Sequence, residues 1–479
     1  MLTCPYQICQ VIKGSEMNIK KLTAICLLAC FGFTYAVPAQ AISDTNSSKQ
    51  ANVYKHKVKK GKKETDDYKY AYINMDFWNQ FNDDNLNRYI DLAIKHNYDL
   101  KIASLTVKQY YQNMKVQFAN ELPTVGIGVA PAFMNVPMSK DNFAVNVPAA
   151  FNYEVDIFLK NRDKTRAVKE LYNASKDDER AAYISVASAV GYVYFNIVKL
   201  NEVIKYQEQI VNSRLDIYNM MLASNREGLV STSDTVKANK AYIAGLSDLI
   251  ELKKTRTKLL DQFCVLIGEN PNEGETLAFT PLNDIKFSGN IPSEISSEVI
   301  TSRPDYLKAE KMIKKAGIDV RVAKKEFLPT INLTGIAFLD ATHSMFSKET
   351  TIAALAAAAM LPVFTGGARI ANLKLKKVQY DKMLETYYKT NLTAIQEVND
   401  ALASVKYDTD KLNEHIKQHE LESKDFGYTQ NKYNEGIISR LDLVQMQENL
   451  LNVEKLINST RSECYISYIE LYKAVGSKL

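Results

Sequence analysis

The chain has 479 residues, of which 24% are charged, and it contains only 18 glycines and 12 prolines. Few turn-forming residues and interspersed charges are typical of long solvated helices, and this length suits about two to four domains. The net charge of +5 is modest, and much of it lies in one basic run at residues 49–69. No aromatic-rich basic domain accompanies that run, so we interpret it as a linker and expect no nucleic-acid partner.

Residues 1–41 have the pattern of an export signal, with the basic start Met17-Asn-Ile-Lys-Lys followed by an apolar segment at 22–36. We interpret residues 1–16 as an upstream extension from a wrongly assigned start. Ala39 and Ala41 fit a small-x-small cleavage site. Leu27-Leu-Ala-Cys30 resembles a bacterial lipobox, so lipidation at Cys30 competes with cleavage after Ala41. Both alternatives imply export.

A linker is predicted over residues 42–76, and Phe77-Trp78 opens the ordered part. Helices are expected over about 84–96 and 99–122, and Pro123 ends the second of them. Residues 124–130 and 142–156 alternate apolar and polar side chains, which predicts two strands. A helical pattern of about 65 residues follows to Arg226, enough to span about 100 Å, and a return helix is predicted over about 231–267.

The same order recurs in the second half. A helix over about 302–327 precedes Pro329, residues 330–336 alternate like a strand, and long helices are expected over about 368–434 and up to Gly476. Proline, phenylalanine and glycine recur at offsets of 206 to 208. We therefore predict an internal duplication, with a first repeat at 77–290 and a second at 291–479. The fourth strand candidate, 353–360, is alanine-rich and is expected to be irregular or short.

Each repeat turns between its two long helices at a glycine, Gly228 in the first and Gly436 in the second. Asp234 in the first repeat matches Asp442 in the second at the same offset. One interpretation of both aspartates is helix capping, because a carboxylate in the first turn of a helix interacts favourably with the helix dipole.

Four strands cannot close a membrane-spanning barrel in one chain, since such barrels begin at about eight strands and leave no open edge in the lipid. Three chains that share one barrel would supply twelve strands. The long helices are too polar for a bilayer, so we expect them to stand in water as coiled coils.

Several short motifs occur in an order that one family shares. They are Phe77-Trp78 with Phe81, Asn97-Tyr-Asp-Leu-Lys-Ile-Ala103, Tyr153-Glu-Val-Asp-Ile-Phe158, Arg303-Pro-Asp305, Ala323–Gly335, Leu361–Gly367, Gln396-Glu-Val-Asn-Asp400 and Leu471–Gly476. With these motifs the chain resembles TolC-like outer-membrane factors, the exit ducts of Gram-negative efflux and secretion systems. The resemblance covers about Trp78 to Gly476 and is strongest to the branch that serves tripartite multidrug pumps.

The resemblance implies a mixed α and β membrane protein. Its homotrimer would form a 12-stranded outer-membrane β-barrel, with four strands per chain, that continues into a periplasmic α-helical coiled-coil barrel. It implies a passive exit duct in the outer membrane that extends into the periplasm. The implied partners are a periplasmic adaptor protein, an inner-membrane transporter of the RND, ABC or MFS type, and outer-membrane lipid. It implies no catalytic residue and no cofactor.

The resemblance also places the second turn at the periplasmic tip of the duct. It implies that Asp442 constricts the pore as part of a periplasmic gate, with Gln445 where a second family aspartate is common. It further implies that Tyr433 and Asp234 help to latch the closed tip. A family arginine is replaced by Ile438, and Arg440 lies nearby at another offset. With fewer charges than the family pattern, the latch is expected to depend more on Asp234, Tyr433 and packing.

Two other functions compete with this interpretation. A coiled-coil scaffold or adaptor without a pore is the alternative, and it predicts no β-barrel. An enzyme is the other, since His415 and His419 are four apart on a helix, but the His-Glu-x-x-His order of zinc proteases is absent. No third ligand is evident, so we interpret both histidines as solvated and expect no metal site.

Two cysteines, Cys264 and Cys464, remain in the body of the chain. Each falls on an apolar helical stripe, and we predict that both pack in the core. A disulfide between them is the alternative in an oxidising compartment.

Overall fold

The computed structural model describes residues 71–133, 143–290, 292, 295–340 and 351–478. The predicted export signal, with Cys30 and Ala41, and the basic run lie outside the described residues. The chain divides into two compact units. The strand unit includes Phe118–Arg162 and Lys325–Gly366, and the helical unit includes Glu64–Gln117, Asp163–Lys324 and Gly367–Leu479.

Nine α-helices are present in the described residues. They are α1 (Met75–Asn79), α2 (Asp84–His96), α3 (Tyr98–Ala119), α4 (Lys160–Arg226), α5 (Thr232–Ile267), α6 (Ser297–Thr301), α7 (Pro304–Lys325), α8 (Ala368–Asn434) and α9 (Arg440–Ala474), with a 3-10 helix at Pro271–Thr276. The helices α4 and α8 have 67 residues each, so each extends for about 100 Å. The sequence predicts all of the long helices to within a few residues of their ends.

The strands form one antiparallel sheet. They are β1 (Thr124–Ile127), β2 (Ala130–Phe133), β3 (Phe143–Val155), β4 (Thr330–Asp340) and β5 (Thr351–Met360). The order is β1-β3-β4-β5, and β2 also pairs with β3. Because β3 and β4 are central, β1 with β2 forms one edge of the sheet and β5 forms the other within the described residues.

Pro148 explains why the first predicted strand is split into β1 and β2. Both short strands pair with β3 in one continuous register, from Thr124 opposite Asn152 to Phe133 opposite Phe143. Gly128 N–H donates to the Pro148 carbonyl at 2.8 Å, but Pro148 has no N–H to return the bond. The ladder is therefore interrupted at this point without any change of register.

The two faces of the sheet differ in polarity. On one face, a row across the strands carries Val125, Phe151, Gly335 and Leu355. The other face is mixed, since one row carries Thr124, Asn152, Thr334 and Ala356 and the next carries Gly126, Ala150, Ile336 and Ala354. Val125 and Leu355 are 70% and 76% exposed. One chain therefore presents one apolar face and one face that mixes polar and apolar side chains, and exposed side chains lie on both.

The expectation of a short or irregular fourth strand is wrong. In β5, all ten residues form a regular strand, paired with β4 from Met360 opposite Thr330 to Thr351 opposite Leu339. Alanine is a weak strand former, but its preference depends on its neighbours. Here β4 supplies a full ladder of backbone partners, which overrides the local preference.

An aromatic core holds the helical unit together. Phe77, Trp78 and Phe81 on and beside α1 are at most 1% exposed. Phe77 stacks on Tyr472 of α9 with ring centroids 4.5 Å apart. Gly191 of α4 lies so close that an added Cβ would stand 2.7 Å from the Trp78 ring. The motif Phe77-Trp78 thus supplies the side chains through which α1 packs against α4 and α9.

One described helix, α4, contains an 18-residue window that is apolar enough to cross a membrane, but 67% of that window is buried in the protein. Its apolar residues, such as Val190, Tyr194 and Ile197, belong to the aromatic core. This burial is the pattern of a core helix.

The predicted packing of the two cysteines in the core is confirmed. Cys264 and Cys464 are both free and buried, so the alternative disulfide is absent from this structure. Burial raises the pKa of both thiols above the usual value, which keeps them protonated and unreactive at neutral pH.

Candidate functional site: the two helical turns

The first turn joins α4 to α5 around Gly228, whose φ is +73°. Leu229 N–H donates to the Ser224 carbonyl at 2.9 Å, which closes the C-terminal end of α4. Ser231 is the N-cap of α5, and its hydroxyl accepts a hydrogen bond from Asp234 N–H at 3.2 Å. The turn therefore combines a left-handed glycine with a serine cap.

The second turn joins α8 to α9 and repeats this geometry. Gly436 has φ of +74°, and Ile437 N–H donates to the Lys432 carbonyl at 2.8 Å. Ser439 caps α9, and its hydroxyl and N–H both donate to Asp442 Oδ2, at 2.6 and 3.0 Å. Asp442 N–H in turn donates to the Ser439 hydroxyl at 3.3 Å, which completes a capping box.

The two turns differ in the partners of their aspartates. Lys237 Nζ lies 3.1 Å from Asp234 Oδ1. The position that matches Lys237 in the second turn is Gln445, and among the described residues Asp442 has no ion-pair partner. The hydroxyl of Ser439 lowers the pKa of Asp442, and Ser231 followed by Lys237 lowers the pKa of Asp234. Both groups are carboxylates at neutral pH, and only the charge of Asp442 is left without a cation.

The other predicted gate residues cluster at the second turn without forming one network. Gln445 and Arg440 are exposed, whereas Tyr433 is half-buried. Arg440 Nη2 lies 3.8 Å from Asp216 Oδ2 of α4, and both side chains are more than half exposed, so this pair contributes little. Within one chain, Asp442 hydrogen-bonds with Ser439 and Asp234 pairs with Lys237, and among the described residues no hydrogen bond or ion pair joins Asp234 to Tyr433 or Arg440.

Sequence reasoning missed the polar contacts that tie the two hairpins together. Arg214 of α4 donates from Nη2 to Glu448 Oε1 of α9 at 2.6 Å and from Nη1 to the Ala241 carbonyl of α5 at 3.1 Å. One heptad away, Lys455 Nζ donates to Gln207 Oε1 at 2.8 Å. The signal was present in the sequence, because Gln207 and Arg214 continue the seven-residue spacing of the apolar residues Val186, Val193 and Leu200 on α4.

These contacts set the register of α4 and α9. Gln207 and Arg214 are seven residues apart, as are Lys455 and Glu448, so the helices run antiparallel in step. One heptad further, Met221 and Leu441 both line a groove of about 360 Å³ that also contains Asp234 and Gln445. The same register brings the end of α4 level with Gly436. The two turns therefore lie side by side at one end of the helical unit.

The two histidines that suggested a metal site lie on α8. His415 and His419 are both half-buried, and the His419 side chain is 35% exposed, so each is only partly solvated. His419 Nε2 is 3.5 Å from Glu454 Oε1. No group of three or more metal-ligating side chains exists in the part of the chain that the structure describes.

A family model described as outer membrane efflux protein matches residues 89–269 and 295–477. The chain belongs to the outer membrane efflux protein family. It is 26% identical over 415 residues to the probable efflux pump outer membrane protein TtgC of Pseudomonas putida, covering 83% of this chain and 84% of the relative. It is 24% identical over 426 residues to the probable outer membrane lipoprotein SilC of Salmonella typhimurium, covering 85% and 88%.

The fold matches a solved channel of the same kind. The Campylobacter jejuni CmeC outer membrane channel superimposes with a TM-score of 0.74 and 24% sequence identity, covering 92% of this chain and 94% of that chain. The predictions of a TolC-like outer-membrane protein, of a mostly helical channel-tunnel fold with a small antiparallel sheet, and of an outer-membrane location are confirmed.

Proposed function

We propose that this outer membrane efflux protein is the passive exit duct of a tripartite efflux or secretion system, and that three copies form the duct. The observation that carries the proposal is the sheet of the strand unit, which has one apolar face, one face with mixed polar and apolar side chains, and two edges that are open in one chain. In lipid, an open edge leaves backbone groups without hydrogen-bond partners. Strands from two further copies would close the sheet into a barrel of twelve strands, with its apolar face toward lipid and its more polar face toward water.

The second turn is the proposed periplasmic gate. Three symmetry-related Asp442 carboxylates near one axis would repel each other and attract cations. The capping bonds from Ser439 hold each carboxylate in place, so capping and constriction are compatible roles for this residue. Tyr433, Asp234, Arg440 and Gln445 would shape the same constriction through contacts between copies.

The proposed partners are a periplasmic adaptor protein and an inner-membrane transporter of the RND, ABC or MFS type, which supplies the energy. Leu229 and Ile437, each following its turn glycine, are 77% and 66% exposed. Exposed apolar residues at both turns favour docking of another protein there. No catalysis is proposed for this chain.

We also propose that the chain consists of two repeats, at 77–290 and 291–479, because the two turns match.

Lipidation at Cys30 is proposed for the mature N-terminus, since the relative SilC is named a lipoprotein. Mass spectrometry of the mature protein tests this, and an unmodified N-terminus that begins after Ala41 would contradict it.

The central test uses purified full-length protein. Heat-resistant trimer bands on a denaturing gel and ion conductance in a planar lipid bilayer are expected. A soluble product that neither trimerises nor conducts would overturn the proposal and favour the coiled-coil scaffold. Deletion of the gene, followed by profiling of drug, detergent and toxin export, identifies the cargo class.

A further inference from the structure

The charges of α4 and α7 are sorted by exposure. Six positions are exposed in residues 163–177 of α4 and in the whole of α7, and all six are basic. They are Arg166, Lys169, Lys176, Lys314, Arg321 and Lys324. The acidic residues of the same two stretches are buried or half-buried, and five of the six pair with a lysine or an arginine. The surface of both stretches is therefore positively charged.

The neighbouring helix α3 adds two lysines. Lys108 and Lys115 are exposed and seven residues apart. Lys115 Nζ lies 4.6 Å from the centre of the Tyr111 ring, and Lys176 Nζ of α4 lies 4.4 Å from the centre of the Tyr172 ring. Because the centres of the two rings are 5.5 Å apart, these cation–π contacts hold a lysine of α3 beside a lysine of α4.

One buried carboxylate shows that α4 and α7 present their basic residues on the same side. Asp163 Oδ1 is 3.1 Å from Arg166 Nη1, and Asp163 Oδ2 is 3.8 Å from Arg321 Nε. We call the eight exposed residues of the three helices the basic face. They are Lys108, Lys115, Arg166, Lys169, Lys176, Lys314, Arg321 and Lys324. The two arginines and Lys314 have acidic partners, and the other five have no ion-pair partner among the described residues.

The basic face lies on the side of α4 that other segments cover further along the helix. Lys169, Lys176, Tyr183 and Val190 follow one another at intervals of seven residues, so they share one side of α4. Tyr183 and Val190 are buried in the aromatic core, where the ring centres of Tyr183 and Tyr72 are 5.6 Å apart. A duct keeps its inner side clear, so the covered side is the outer one. The basic face therefore points away from the lumen of the proposed duct.

The basic face begins where the chain passes into the strand unit. The chain crosses between the units four times, after residues 117, 162, 324 and 366. An exposed phenylalanine lies within four residues of each crossing in the sequence. These are Phe118, Phe158, Phe327 and Phe364. Five residues of the basic face lie within seven residues on the helical side of a crossing, about 10 Å along a helix. They are Lys115, Arg166, Lys169, Arg321 and Lys324. Apolar residues followed by basic ones are the order that lipid tails and anionic headgroups require.

We propose that the basic face binds the headgroups of anionic phospholipids in the inner leaflet of the outer membrane. A negative lipid surface attracts each nearby lysine or arginine by about fivefold in affinity. This attraction falls off over a Debye length of about 8 Å at physiological salt, so the five residues nearest to the crossings contribute most. The inference rests on the proposed barrel, which places the strand unit in lipid, and it adds the class of lipid and the residues that recognise it.

The lipid selectivity of the full-length trimer tests this inference. The trimer is reconstituted in phosphatidylethanolamine bilayers with spin-labelled phosphatidylglycerol or spin-labelled phosphatidylethanolamine, and electron paramagnetic resonance measures how much of each lipid it immobilises. Lys115→Gln with Lys169→Gln and Lys324→Gln removes three cations without ion-pair partners, and it should lower the preference for phosphatidylglycerol by about fivefold or more. The same three positions changed to arginine should keep the preference.

The matched control removes three exposed lysines far from the crossings, in Lys240→Gln with Lys258→Gln and Lys424→Gln. It changes the net charge equally and should keep the preference. In the unmodified trimer the preference should also fall as salt rises from about 0.05 M to 1 M, which tests the inference even where a variant does not assemble.

The outcomes separate this inference from the proposed function. A conducting, heat-resistant trimer without a preference for phosphatidylglycerol, or with an equal loss in both glutamine triple variants, would overturn the lipid site and leave the duct intact. An unchanged lipid preference with lost binding to isolated peptidoglycan would assign the basic face to the cell wall and also overturn it. If the unmodified protein forms no trimer, the proposed function itself fails.

Discussion

The two turns of the helical unit have the same backbone and different charge. Each has a glycine at positive φ, a serine cap and an aspartate three residues after the cap. In the first turn Asp234 pairs with Lys237, whereas in the second Gln445 replaces the lysine and no cation neutralises the charge of Asp442. The capping geometry is a local requirement of any such turn and is repeated. The unneutralised charge is what distinguishes the second turn, and it is the property that a cation-binding constriction needs.

The largest expected effect comes from removing the polar side chains of the second turn. In Asp442→Ala with Gln445→Ala, single-channel conductance should rise, and block by divalent cations should weaken by about tenfold, because three carboxylates that attract the cation are lost. Bilayer recordings measure both quantities. Asp234→Ala is the matched control and should change the block much less. Unchanged conductance and block in the double variant would place the constriction elsewhere.

Exchanging the residue types at the matching positions 445 and 237 should have an intermediate effect on divalent block. Gln445→Lys gives Asp442 the cation that Lys237 gives Asp234, so divalent block should weaken about threefold while the cap is preserved. Lys237→Gln makes the reverse change in the first turn and should not weaken the block. If Gln445→Lys blocks as strongly as the unmodified channel, the missing cation is not what distinguishes the second turn.

A smaller effect is expected on the pH dependence of the block. Ser439 lowers the pKa of Asp442, so the carboxylate stays charged to lower pH than usual. The resulting stability is present above the unfolded value of about 3.9 and is lost as pH falls through the folded value. Ser439→Ala should raise the pKa of Asp442, so divalent block should disappear at higher pH. Titration of the block between about pH 3 and 6 measures the shift.

The matched control for that titration is Ser231→Ala, which changes the cap of the first turn. It should leave the pH dependence of the block where it is. An equal shift in both variants would mean that the two aspartates act together.

The smallest difference between the two turns is expected when their glycines are replaced. Gly228→Val and Gly436→Val each force a side chain into the left-handed region, at a cost of about 1–2 kcal/mol. No atom lies within 4 Å of an added Cβ at either position, so the two costs should be equal. The heat resistance of the trimer compares them, and an unequal loss would show that one turn packs against a neighbouring copy.

Much of the helical pattern could be predicted because it is local. Apolar spacing located α4 and α8, and Gly228 and Gly436 marked their ends, since a left-handed residue ends a helix wherever it occurs. The expectation for β5 was wrong because its alanines favour helix, and only the pairing with β4 makes it a strand.

The candidate site was predictable in part for the same reason. Asp234 and Asp442 stand at fixed distances from their glycines, so the sequence locates them. Arg214 and Glu448 are 234 residues apart, and their pairing depends on the register between α4 and α9. That register follows from how whole helices pack, which periodicity within one helix does not specify.

The contacts between α4 and α9 differ along the helical unit. Near Gln207 and Arg214, polar side chains that water can solvate alternate with a few buried apolar ones, such as Ile210 and Leu451. Around Trp78, by contrast, the contact is a large aromatic cluster, and its separation would expose apolar surface at about 25 cal/mol per Å². Opening of the helical unit is therefore expected to cost less near the turns than at the aromatic core. From Gly191 to the end of α4 the helix extends for about 50 Å, so a tilt of about 6° at the core would move a turn by about 5 Å.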